Sequence, residues 1–419
     1  MKSFLIKYKY HFFLLLIALL WLFVFDFCIQ MSSQGVMHSD SFGYQGASKN
    51  LYVFYEGHIY RPILMSIITG IPYLFGSSDA AIFCFSFYVN LFCWLSSFIL
   101  FFEISKDFLI PKAAFVITIF SILIIGNTVH VFHLLTETIY QFIIALSLYL
   151  LLKYYKTRTF WYLSLCLSLL LSSMLIKPGS KFLAILITLY FIKEIIRNRK
   201  SKSMILLYGS LLMIIIQCAG MKYQFGNFTI SYIDSVTYYG YIGSKAMCIK
   251  NGKEYSQLGN PRADYQFSQE ATEQKRLAST DFKYQLQHNT LNLIKAYISD
   301  VRENTVSGNS CIDECNNLKS RSGFDFWKEL FSDLSKWQNR FYTLLAIVLA
   351  MFFLLKTYKK PDLLTFVSFF IMYIIVLSGI SCGQGDRFHL VTFPFMFLLL
   401  AKYLSNMNYF KQSSEPLQK

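Results

Sequence analysis

Charge is what this sequence has little of. Asp, Glu, Lys and Arg make up 15% of it, 55% is hydrophobic, and the mean hydropathy is +0.42. A soluble domain carries about a quarter of its residues as charges, so that class is excluded and a polytopic membrane protein is indicated. Acids are scarcer than bases, 24 against 39, which leaves a formal net charge of +15. The excess is not a nucleic-acid face. The cations sit in short clusters between apolar runs: Lys2, Lys7 and Lys9; Lys153, Lys156 and Arg158; Lys193 to Lys202; Lys356, Lys359 and Lys360; and Lys411. That is the pattern of a chain with basic inward-facing loops, and no nucleic-acid partner is expected. A phosphate-cradling glycine loop and an Asp-x-Asp pair are both missing, which argues against chemistry on a cytosolic nucleotide-activated donor. No small-residue cleavage site follows the first apolar run, residues 11–29, so that run reads as an anchor.

The chain does have apolar runs. They lie near 11–29, 62–77, 80–102, 113–127, 134–152, 160–176, 182–196, 204–220, 341–355, 362–380 and 388–405. If the run 62–77 crosses the bilayer, parity puts two strong basic clusters on the outside. If it lies along the interface, every cluster and both termini fall inside. The run is about 16 residues, roughly 24 Å as a helix, which is short of a ~30 Å hydrocarbon core. It opens at Pro62 and carries Gly70 and Pro72, which break helices. The expectation is an all-α polytopic bundle of about ten transmembrane helices with a juxtamembrane helix over 62–77. Residues 1–219 form an N-terminal transmembrane module with a first outer loop at 30–61. Residues 220–340 form a large outer loop subdomain, and 341–419 hold the last spans and a cytoplasmic tail.

Polar residues with chemical potential gather on one side. The segment His38–Arg61 follows the first span directly and sets Asp40, Tyr44, Glu56, Tyr60 and Arg61 at the membrane surface. Glu137 heads another run, where it can cap a helix N-terminus or act in a site. Lys177 and Lys181 fit interfacial anchors or anion ligands equally well. Asp386, Arg387 and His389 sit in a tight loop flanked by Gly383 and Gly385. His130 and His133 have the i, i+3 spacing of one helix face, and without further ligands they read as headgroup or structural residues. Asp26, inside the first span, is expected to pair with a basic side chain.

The loop 220–340 differs in composition. It is rich in Lys, Gln, Asn, Ser and Tyr, and residues 262–300 have the periodicity of one or two amphipathic helices. A small outer subdomain that covers a site is expected, since its aromatic and apolar residues are too many for a disordered linker. Of nine cysteines, Cys28, Cys84, Cys93, Cys166 and Cys218 lie in or near spans, where they act as small hydrophobes. Cys248, Cys311, Cys315 and Cys382 fall outside. A disulfide within Cys311–Cys315, or from one of them to Cys248, is favoured over a metal half-site.

Four pieces of the chain, in order, carry a resemblance. Asp40, Tyr44, Ala47, Leu51, Gly57 and Arg61-Pro62-Ile63-Leu64 resemble the first outer loop of GT-C superfamily membrane glycosyltransferases, which include protein O-mannosyltransferases and the aminoarabinose transferases of lipid A. Leu134–Thr138 resembles their second acidic motif, Leu175–Pro178 their outer lysine-proline turn, and Asp386–Leu390 with Pro394 the entry to a late span. Size, composition and a single large late loop are also similar to serotype-converting O-antigen glucosyltransferases. The resemblance covers about the first 180 residues and the last 40; the long loop matches nothing in it.

The resemblance implies a GT-C-like fold in a bacterial inner membrane, with the site facing the periplasm. It implies transfer of a hexose, glucose being the expected one, from a polyprenyl-phosphate donor to a hydroxyl of an O-antigen, lipopolysaccharide or other surface-glycan acceptor. It also implies partnership with a flippase and a polyprenyl-phosphate glycosyltransferase. A hydroxyl needs a base as the bond forms, and a leaving phosphate needs cations. The expected base is Asp40, with Glu137 as a second acid. Arg387, Lys177, Arg61 and Lys181 are the phosphate ligands. Tyr44, Tyr60, Glu56 and His389 are substrate contacts. The residues name no cofactor, and a divalent cation is compatible but not indicated. An O-antigen polymerase and a glycolipid transporter or flippase stay open as alternatives. A transporter would ordinarily show repeats and polar residues at mid-membrane, which this sequence does not.

Overall fold

The computed structural model describes residues 8–34 and 39–406, and these are helical with no strand among them. Lys2, Lys7, His38, Lys411 and the tail from 407 onward lie outside the described residues. Five helices are long and apolar enough to cross a membrane: α1 (Lys9–Ile29), α4 (Asp79–Ser105), α6 (Glu137–Thr157), α9 (Met204–Phe225) and α12 (Phe324–Thr357). Five shorter apolar helices accompany them: α5 (Pro111–Ile122), α7 (Phe160–Ser173), α8 (Lys181–Tyr190), α13 (Leu363–Ser378) and α14 (Phe393–Asn406). The long ones expose much of their apolar surface, as Phe23, Ile205 and Val348 do. Water would penalise such faces and lipid would not.

Side-chain contacts tie several helix ends together. At one end His11 reaches Glu103, Lys156 reaches Asp107, Ser164 reaches the Ser203 carbonyl, and Thr365 reaches Thr357. The opposite end gathers α2 (Ser39–Lys49), α3 (Ile63–Thr69) and the long loop. The run 62–77 makes no continuous helix. α3 has seven residues, about 10 Å at 1.5 Å per residue, and after Gly70 the chain tightens into a short 3₁₀ turn, Ile71–Phe75. Tyr52 presses so closely on Gly70 that a Cβ there would meet its ring at 2.4 Å.

The long loop is helical, as its periodicity suggested: Pro261–Phe267, α10 (Ala271–His288) and α11 (Thr290–Val306). Its far boundary differs from expectation. The helix containing the run 341–355 begins at Phe324, so residues 324–340 are the first half of a 34-residue rod. That half reads as polar loop in the sequence because only one face is apolar. Phe324 and Phe331 pack with Phe25 and Ile29 of α1 and with Cys311, Ile312 and Cys315.

Two further expectations are corrected. All nine cysteines are free. Cys311 and Cys315 are nearly sealed in the apolar cluster just named, where thiols pack as hydrophobes, and Cys382 is buried in the loop before Arg387. Among the described residues Asp26 pairs with no cation; its carboxylate accepts from the Ser32 amide at 2.6 Å and the Ser32 hydroxyl at 2.7 Å, tying off the turn after α1.

Candidate functional site

Asp40 sits in the first turn of α2, where a helix N-terminus favours an acid. One turn on, the buried Tyr44 ring lies under the Arg61 guanidinium, 4.4 Å from its centroid. Gly43 makes room for this stacking: a Cβ there would come within 3.2 Å of the guanidinium nitrogens. Arg61 reaches its place through a local turn. The His58 Nδ1 accepts from the amides of Tyr60 and Arg61, and Pro62 then caps α3. Burial, with Arg61 alongside, pushes the His58 pKa down to about 4, so the ring is a neutral acceptor.

The charged side chains form one chain of ion pairs. Arg61 Nη2 donates to Asp40 Oδ1 at 2.5 Å. Arg387 Nη1 donates to Asp40 Oδ2 at 2.6 Å and to Gln384 at 2.9 Å, while its Nε donates to Glu137 at 2.7 Å. Lys177 Nζ completes the row, donating to the same Glu137 oxygen at 3.1 Å. Arg387 thus bridges the two acids, and the Lys177 ammonium also faces the Tyr140 and Phe388 rings. Three cations against two carboxylates leave one formal positive charge.

Exposure separates the two acids. The Glu137 side chain is 1% exposed, against 25% for Asp40. Glu137 is therefore an internal counter-ion that holds Arg387 and Lys177 in place. Asp40 and the flanks of Arg61 form the open edge. Burial pushes the Lys177 ammonium pKa down, with Glu137 opposing.

The loop carrying Arg387 is clamped from the long-loop side. The buried Asn304 of α11 donates to the carbonyls of Ser378 and Cys382 and accepts from the Gln384 amide. Asn339 on α12 donates to the carbonyls of Asn304 and Ser307. Asp386, next to Arg387, is buried and accepts from Asn309 at 3.0 Å and Ser335 at 3.1 Å. That burial raises its pKa to about 7. Gly385 is required at φ +61°, pressed against the Gly308 carbonyl.

Beside Arg61 a cleft of about 210 Å³ opens between the segment 47–66 and α9. Ala47, Leu51, Ile63, Ile216 and Met221 make it apolar, and Gln217, Gln224, His58 and Arg61 supply polar atoms.

Of the residues expected from sequence, Asp40, Glu137, Arg387, Lys177, Arg61 and Tyr44 come together. Four do not. Lys181 turns over the Phe182 ring and joins none of these ion pairs. Tyr60 donates to Gln274 and packs edge-on to Phe267, fixing the long loop. Glu56 is exposed on the rim of the cleft. His389 is sealed between the hydroxyls of Thr343 and Ser378, where burial lowers its pKa to about 4 and makes it a core histidine. His130 and His133 are buried, His130 beside Asn309. Among the described residues no three His, Cys, Asp or Glu side chains converge as a metal site. Sequence reading missed Gln384, Asn304, Asn309, Asn339 and Ser335. Gln384 lies in the loop before Arg387 and Asn309 just ahead of a short helix; the others are two amides and a hydroxyl on helical stretches of the long loop.

No protein-family model matches the chain, and no curated protein is similar to it at a significant level.

Proposed function

We propose that this chain is a multi-pass membrane glycosyltransferase of GT-C type. It moves a hexose, glucose as the first sugar to test, from a polyprenyl-phosphate donor to a hydroxyl of a surface-glycan acceptor such as O-antigen or lipopolysaccharide. The carrying observation is the row Arg61–Asp40–Arg387–Glu137–Lys177, with its surplus positive charge, at one end of an apolar helix bundle. A phosphate arriving at Arg61 and Arg387 takes over their hydrogen bonds and releases an Asp40 oxygen. Asp40 then accepts the proton of the acceptor hydroxyl as its oxygen bonds to the sugar C1. The bond from C1 to the phosphate oxygen breaks, and polyprenyl phosphate leaves with its charge held by the guanidiniums. One displacement inverts the anomeric centre. The apolar cleft beside Arg61 suits the isoprenoid tail. The decisive assay is transfer of labelled glucose from purified polyprenyl-phosphate glucose to lipopolysaccharide by the full chain in nanodiscs. If the protein neither binds the donor nor consumes it, the reading fails.

All ten apolar helices cross an inner membrane in this reading, the site end faces the periplasm, and the run 62–77 stays on that face. Cysteines placed at Tyr55 and Ser78 should then label from the periplasm and one at Lys106 from the cytoplasm. Opposite labelling of the first two would make 62–77 a span.

A further inference from the structure

α11 has a face that the rest of the protein leaves uncovered. Leu291, Ile294 and Ile298 follow at i, i+3 and i+7, on one side of a helix, and are 65%, 50% and 59% exposed. In water three large aliphatic side chains in a row are costly, and a free loop helix has no reason to keep them. The height of this helix is fixed. The Tyr297 hydroxyl donates to the Val376 carbonyl at 2.8 Å, in the last turn of α13. Tyr297 and Val301 crowd Gly379 so closely that a Cβ there would meet them at 2.4–2.5 Å. By helical spacing the exposed stripe lies next to this packed face, and α13 itself exposes Val376, which is 52% accessible. Lys295 and Arg302, both exposed, border the stripe along its other edge. The face turned away from the stripe is buried: Leu293, Ala296 and Asp300 pack inward, and Asp300 accepts from Lys245.

We propose that α11 lies in the outer membrane–water interface as an amphipathic lipid-seated helix. Leu291, Ile294 and Ile298 sit at the boundary of headgroups and acyl chains, and Lys295 and Arg302 reach up to lipid phosphates. An apolar stripe on a helix packed against the end of an apolar helix, and edged by cations, is what a lipid-seated helix presents to a bilayer. A soluble partner or a second copy would not require that position against the end of α13 or that cationic edge. Asn304 on the same helix holds the 378–384 backbone, so seating α11 in lipid sets the depth of Arg387 as well. The inference rests on the reading of α13 as a span.

The test is collision accessibility of nitroxide labels on the full chain in phosphatidylcholine nanodiscs. Cys84 and Cys248, which are not buried, are first replaced by serine. Labels go on Ile294→Cys and Ile298→Cys, with Val376→Cys as the lipid control and Lys253→Cys, on an exposed loop, as the aqueous one. The expected result is that 294 and 298 prefer oxygen over a nickel chelate as Val376 does, with Lys253 reversed. Nickel access at 294 and 298 equal to that at Lys253 overturns the proposal. So does spin–spin broadening at those sites, which would assign the face to a second copy, or shielding from both reagents, which would assign it to a protein partner. If the Val376 label is itself nickel-accessible, the spanning reading of α13 is what fails.

Discussion

An Asp40→Asn protein should fold, bind the polyprenyl-phosphate donor at least as well as the parent, and turn over about 10²–10⁴-fold more slowly. The loss is what removal of a positioned general base costs. Folding is spared because Asp40 is the open acid of the pair. Arg387 keeps Glu137 and Gln384 without it, and Arg61 keeps the Tyr44 ring. Donor affinity should hold or tighten, since removing one carboxylate raises the formal charge of the cluster. A merely structural role for Asp40 would instead lower donor binding and thermal stability together. Asp40→Glu should fall between, because a misplacement of about 1 Å can cost as much as 10²-fold. Near-normal turnover by Asp40→Asn in the nanodisc transfer assay would remove Asp40 as the base. Glu137, 1% exposed, could take that role only after the cluster opened.

Arg387→Ala should do two kinds of damage, and they can be separated. Glu137 would be left in the interior with Lys177 alone, and breaking a buried pair by removing one partner costs about 3–5 kcal/mol. Thermal unfolding in detergent should show a marked drop. The donor would also lose a charge-assisted contact of about 1.5–3 kcal/mol, which is roughly one to two orders of magnitude in affinity. The double variant Glu137→Gln/Arg387→Ala has no stranded carboxylate, though Lys177 loses its Glu137 partner. It should recover part of the stability and none of the donor affinity. Donor binding restored to the parental value in that double variant would show that Arg387 acts only as a strut.

The site was legible where short motifs stand at the ends of apolar runs. A run fixes its own end near the membrane surface, so the residue that follows has a known height. Asp40, Arg61, Glu137, Lys177 and Arg387 are all of this kind, and they meet. Sequence adjacency fails one step further on. Lys181 is a single turn past Lys177, but the 3₁₀ turn Pro178–Ser180 intervenes and carries it to Phe182. His389 is two residues from Arg387 and faces the opposite way, into Thr343 and Ser378. The clamp of Asn304, Asn309, Asn339 and Ser335 could not be read, because an amide on a helix looks the same whether it faces water or a buried backbone. The first half of α12 hid for a related reason: its apolar face is one stripe in a polar sequence, and window hydropathy averages the stripe away.

The wide spacing of the ion pairs has a consequence for how the protein is made. Arg387 and Glu137 are 250 residues apart, whereas Glu137 and Lys177 are separated by 40. A ribosome adding about 5–20 residues per second would produce Arg387 about 12–50 s after Glu137. During that interval Glu137 has Lys177 as its neutralising neighbour, and Asp40 has Arg61, which follows it by 21 residues. Each acid thus has a nearby partner that it keeps in the folded protein, and Arg387 joins two pairs that already exist. A chain arrested before its final helices would carry two separate, internally neutral pairs with no surplus charge. Newly made protein should gain the formal positive charge of the cluster only once Arg387 has joined both pairs.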